Sequence, residues 1–160
     1  MSDKYKKKLP EDLKEKVNKL FDEAGRFQMG HKNLKAADSF IKAYELLPDP
    51  KDQWSYALSL LRNIAENYYL KAFFDCKTKE ESKKYYQLAL KYFAEYMKDD
   101  RNIGFASNHS KIGQIWYELG DFENAEEELV RAYMGEGKEL FDELDPKYYE
   151  LIKPIVEKSK

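Results

Sequence analysis

Two histidines, one cysteine and several acidic runs are the side chains here that could do chemistry. A general base or a zinc site needs such groups clustered at helical or knuckle spacing. His31 and His109 stand far apart, and no second cysteine accompanies Cys76. Lys77 and Lys79 would suit a reactive thiol at Cys76, but no partner base is in view, so a surface thiol is expected. Glu126-Glu127-Glu128 and Asp142-Glu143 read as solvated faces. Gly135-Glu136-Gly137 lacks the strand context and the lysine of a phosphate loop. Asn108-His109-Ser110 has the form of a glycosylation sequon, yet no apolar leader segment accompanies it. The expectation is a protein without catalysis, metal or cofactor.

The elements that carry these residues must be helices. Of 160 residues, 15% are aromatic and 36% charged, with only seven Gly and five Pro. An aromatic load of that size argues for a packed core rather than disorder, and the scarcity of turn residues argues against many short strands. Net charge is −2 with the signs interspersed, so no long-range field favours a polyanion. The one basic run, Lys4-Tyr5-Lys6-Lys7-Lys8, is expected to be a flexible tail over residues 1–9. One helical domain is expected over 10–160. No stretch approaches the roughly 18 apolar residues of a membrane span. A lone cysteine fits a cytoplasmic setting. Neither a nucleic-acid nor a membrane partner is expected.

Internal repetition organises the chain. Ala36, Phe40 and Ala43 form a small-large-small triplet spaced four then three apart. It returns as Ser82, Tyr86 and Ala89, and again as Ala125, Leu129 and Ala132, at steps of 46 and 43 residues. Such spacing places each triplet on one stripe of a helix, where small residues admit a close neighbour and the large one fills the gap. Each triplet has an upstream companion: Leu20, Ala24 and Phe27; Leu61, Ala65 and Tyr68; His109, Gly113 and Trp116. The middle unit is longer, with a first helix running on through Ala72 and Phe73 and a loop near Cys76.

The stretch from Ile112 to Ala125, with Gly113, Trp116, Tyr117, Leu119, Gly120, Asp121 and Phe122, resembles a tetratricopeptide-repeat signature completed by Leu129 and Ala132. Ala43, Leu46, Leu47 and Pro48 match the end of such a repeat, so the likeness covers roughly residues 13–134. Glu23 at an apolar position, His109 in place of an aromatic or leucine, and the stretched middle unit depart from the pattern. The resemblance implies an all-α solenoid of three helical hairpins, the middle one elongated, closed by a capping helix.

Boundary residues place helices at 10–29, 33–47, 50–75, 79–98, 104–119 and 122–134, with a short one at 137–144 and a terminal one at 146–158. Asp49-Pro50 and Asp145-Pro146 read as an N-cap followed by proline at the first helical position. Gly30 and Gly120 sit where a left-handed helix end is wanted. Tyr148, Leu151, Ile152 and Ile155 should cover the last hairpin, in a helix bent or broken at Pro154.

In the family it resembles, the first helix of each hairpin lines a concave groove. The positions not used in packing would be Asn18, Phe21, Asp22, Gly25 and Gln28; Ser59, Arg62, Asn63, Glu66 and Tyr69; and Ser107, Ser110, Lys111, Gln114 and Tyr117. The mixture of hydrogen-bonding and aromatic groups suits a protein partner. Asn63 and Lys111 match two positions of a carboxylate clamp, but Phe21, Gly25 and Ser107 do not match the others, which speaks against one. A second stripe, Tyr85, Leu88, Tyr92 and Tyr96, is either buried between hairpins or exposed for binding. In the latter case Tyr85, Tyr92 and Tyr96 could join two copies of the chain. Finally, residues 129–148, from Leu129 through Gly135-Glu136-Gly137 to Asp145-Pro146-Lys147-Tyr148, resemble the C-terminal block of small bacterial tetratricopeptide proteins found beside polymorphic toxins. That resemblance implies an immunity protein that neutralises a toxin domain. The alternative is an adaptor or export chaperone holding an extended client peptide; a nucleic-acid accessory acting through the lysine run ranks below both.

Overall fold

The computed structural model of the chain describes residues 7–158. Most of the basic run expected as a tail falls on residues 1–6, outside the described residues, as do the last two. Lys7 forms an isolated parallel bridge with Trp54, and its ammonium donates to Gln53 at 2.9 Å. Apart from that bridge, the regular structure among the described residues is helical. The chain forms two compact units, one up to Tyr96 and one from Met97 onward.

The first unit contains α1 (Glu11–Met29), α2 (Asn33–Leu46), α3 (Ser55–Phe74) and α4 (Lys79–Tyr96). Neighbours in sequence pack as neighbours in space: α1 on α2, α2 on α3 and α3 on α4. The periodic triplets drive this packing. Ala36, Phe40 and Ala43 are buried on α2, as are Tyr86 and Ala89 on α4, while Ser82 is half-buried. Their small members let helices approach, so that Ala24 of α1 and Leu60, Ile64 and Ala65 of α3 lose all contact with water. Burying a large apolar side chain contributes about 1.5–3 kcal/mol, and α3, with nine buried residues, holds the greatest share of this core.

The second unit contains α5 (Asp100–Ile103), α6 (Ala106–Glu118), α7 (Phe122–Glu136) and α8 (Pro146–Val156). Helices α6 and α7 pair closely, and α8 packs on α7. Leu129 and Ala132 of α7 meet Phe141, Tyr148, Ile152 and Val156. Asp145 caps α8 as expected, accepting from the Lys147 N–H at 3.0 Å, with Pro146 in the first turn. Asp121 caps α7 by accepting from the Asn124 N–H.

Several expectations are corrected. Asp49-Pro50 does not start α3; a 3-10 turn over Lys51–Gln53 intervenes and the helix begins at Ser55. The Trp54 indole donates to the Pro48 carbonyl at 2.7 Å and closes that turn. After α1 the left-handed residue is His31 (φ 57°), not Gly30 (φ −88°), whereas Gly120 does adopt φ 83°. Pro154 lies within α8, which ends two residues later at Val156; proline lacks the N–H that would have bonded one turn back. Val156 rather than Ile155 completes the apolar face of α8, since Ile155 is exposed. Residues 138–141 form a 3-10 turn instead of a helix over 137–144, and α5 went unforeseen. Trp116 is only half-buried.

Candidate protein-binding surface

In the first unit, the face of α3 opposite Leu60, Leu61, Ile64, Ala65 and Tyr68 carries Ser59, Arg62, Asn63 and Glu66. Ser59 and Arg62 are exposed, Asn63 and Glu66 half-buried. The Arg62 guanidinium stands 3.9 Å from Glu66 one turn on. This is a surface pair held weakly. Asn63 donates to the Ser59 carbonyl at 2.8 Å. Asn18 of α1 joins this surface, accepting from the Tyr56 hydroxyl of α3 at 3.0 Å. Asp22 is exposed and Gly25 half-buried on the same helix.

Two expected members of the face are occupied elsewhere. The Phe21 ring meets Phe40 edge-on at 5.1 Å and so packs α1 on α2. Tyr69 is buried, with Phe73 at 5.9 Å and Tyr86 at 6.0 Å from its ring. Asn67, which the repeat pattern did not single out, lies one turn from Asn63 and is wholly buried. Its amide donates to the Asn63 carbonyl at 2.8 Å, and its own oxygen has no partner.

In the second unit, Ser110 and Gln114 are buried and bonded to each other, Gln114 Nε2 donating to Ser110 Oγ at 3.1 Å. Tyr117 lies between Phe122 at 5.0 Å and Tyr148 at 5.2 Å, with the Lys147 ammonium 5.3 Å above its ring. Lys111 is half-buried and Ser107 exposed. Of the residues expected to line a groove here, most therefore serve the interior of this unit.

The tyrosine stripe of α4 is mixed, with Tyr85, Leu88 and Tyr92 half-buried. Tyr68 of α3 stacks on Tyr85 at 6.1 Å and on Tyr92 at 5.9 Å. Lys71 and Lys84 lie over Tyr85, and Lys91 over Tyr92, all within 6 Å of the ring centres. Tyr96 is buried. Burial, with the charges of Tyr92, Asp38 and Tyr85 adding to it, pushes the Tyr68 hydroxyl up to about 12. Burial followed by Glu45 raises Tyr92, and burial followed by Glu95 raises Tyr44.

The chemically versatile side chains are occupied as well. His109 Nδ1 lies 2.6 Å from Glu128 and Nε2 lies 2.7 Å from the Ile103 carbonyl, so neither nitrogen is open to a substrate or metal. The Cys76 thiol donates to the Lys71 carbonyl at 3.3 Å. Among the described residues no three His, Cys, Asp or Glu side chains cluster as a metal site, and no helix is long and apolar enough to cross a membrane. Neither a family model nor a curated protein sequence matches the chain.

Proposed function

We propose that this protein is a non-catalytic, tetratricopeptide-like binding module of the bacterial cytoplasm whose partner is a toxin domain, which it neutralises by direct contact. The observation that carries the binding reading is the face of α3. Ser59, Arg62, Asn63 and Glu66 stay at the surface of a helix that otherwise has nine buried residues, and the Tyr56–Asn18 bond sets α1 beside them. A rigid helix presenting arginine and amide groups is well suited to protein recognition, since arginine often dominates interface energetics. The resemblance of residues 129–148 to toxin-associated proteins supports the choice of partner. The solenoid arrangement rests on the three triplets and their companions.

The test is a titration of the full chain with the folded toxin domain encoded beside its gene. Arg62→Ala, Asn63→Ala and Glu66→Ala are titrated in parallel. At least one should weaken binding by about tenfold, the effect of losing a contact worth ~1.4 kcal/mol, with the melting temperature unchanged. Binding to unfolded segments of that neighbour, competing with the folded domain, would instead assign an adaptor or chaperone role. Full affinity in all three variants would remove α3 from the interface.

A further inference from the structure

His109 ties three elements of the second unit together. It sits in the first turn of α6, buried, and reaches α7 through Glu128 and α5 through the Ile103 carbonyl. Both facing atoms are acceptors. A neutral imidazole carries one proton and can donate to only one of them; the doubly protonated ring donates to both.

We infer that the proton on His109 is a switch that fastens the α5 turn to α6 and α7. The charged ring holds Ile103 and Glu128 together, and the neutral ring keeps Glu128 and lets Ile103 go. The order of release follows from charge. A lone pair facing a carboxylate is repelled more than one facing a carbonyl, so the remaining proton stays on Nδ1. The Nε2 lone pair then confronts the Ile103 oxygen at 2.7 Å, and that contact opens.

The charged groups around the ring fit this sequence. On α7, Glu128 is also held by Arg131 at 3.2 Å, and Arg131 reaches Glu127 at 2.6 Å, so the carboxylate stays in place when the imidazole loses its charge. On the α5 side, Arg101 pairs with Asp99 at 3.0 Å. On α6 itself, Lys111 is half-buried two residues away. The Asn102 carbonyl accepts from Asn108 at 2.9 Å, a bond that does not involve the imidazole, so release is confined to the end of α5. Ile103 at that end and Phe105 just beyond it are 50% and 58% exposed, and the switch governs how these two apolar side chains are presented. It stands independently of the binding face on α3.

Amide hydrogen exchange on the full chain, corrected for intrinsic rates, tests it beside an NMR titration of the histidine rings. His31→Gln leaves a single histidine to follow. The Phe105 amide, bonded to the Asn102 carbonyl at 3.3 Å, should lose protection by about tenfold, the loss of roughly one charge-assisted hydrogen bond, as the His109 ring loses its proton. Protection in α7 should not change. Glu128→Gln removes the carboxylate that holds the proton on Nδ1, so the neutral ring can keep Ile103 and the step at Phe105 should vanish. His109→Gln should likewise show no step. Unchanged Phe105 protection across the ring titration, or a step that persists in Glu128→Gln, would overturn the inference.

Discussion

Gly113 presses directly on Leu129: a Cβ built at Gly113 would lie 2.7 Å from Leu129 Cγ and 3.2 Å from the Leu129 nitrogen. Glycine thus sets how closely α6 approaches α7. A methyl group at Gly113 cannot be absorbed by rotating Leu129 alone, because backbone also stands in the way. Gly113→Ala should destabilise the protein by about 1–3 kcal/mol, the usual range for overpacking. Gly25 provides the control, since nothing lies within 4 Å of its added Cβ and it sits inside α1. Gly25→Ala should be stabilising by up to ~1 kcal/mol from helix propensity. Urea unfolding of the two variants reads opposite signs.

Phe40 and Trp116 both hold packing positions of the repeat, on a second and a first helix respectively, but differ in burial. Phe40 is 1% exposed and meets Phe21 edge-on, whereas Trp116 is half-buried. Phe40→Ala should cost about 3–5 kcal/mol and Trp116→Ala roughly half of that. Equal losses in equilibrium denaturation would show that the burial difference does not govern these sites.

How much of this was legible in sequence follows from such residues. Small-large-small triplets announce helical stripes because only close-packed helices need them, and the limits of α1, α2 and α7 follow within a few residues. Asp49-Pro50 misled because the dipeptide that starts a helix also suits a turn, and the bond from Trp54 to Pro48 is a local choice that no periodicity encodes. The candidate face was half legible. Periodicity separates packing from non-packing positions on one helix, so Arg62, Asn63 and Glu66 were recoverable. It does not reveal which aromatic of another helix covers Tyr69, nor that Phe122 and Tyr148 enclose Tyr117. His109 was recognisable as a packing residue, but of its two acceptors Glu128 lies off the packing stripe of α7 and Ile103 lies in α5, which the repeat pattern leaves out.

Alkali should reveal the buried tyrosine. The unfolded chain releases a tyrosine proton near the ordinary value of 10.0, while native Tyr68 keeps its proton up to about 12. The unfolded state therefore binds fewer protons than the native state between those values, and stability falls as pH rises through that window. Below it the contribution is fully present. Tyr44 and Tyr92, also raised, act with the same sign. Phenolate absorbance should show a late-titrating group in the native protein that is absent in Tyr68→Phe. Thermal melts of that variant should decline less steeply between about pH 10 and 12. Identical titrations of the two proteins would contradict the burial of this hydroxyl.

Lys84 over Tyr85 and Lys91 over Tyr92 have a consequence for the colloidal behaviour of the chain. Thirteen tyrosines and nine phenylalanines would ordinarily make an adhesive surface, and a stripe of aromatic rings is the kind of feature that seeds aggregation. Here Tyr68 stacks on each ring, and the Lys84 and Lys91 ammonium groups stand 5.4 and 5.6 Å from the centres of Tyr85 and Tyr92. The lysines act as gatekeepers: they leave the stripe its value as packing and remove its value as glue. Acylating them would strip away that protection without touching a single core residue.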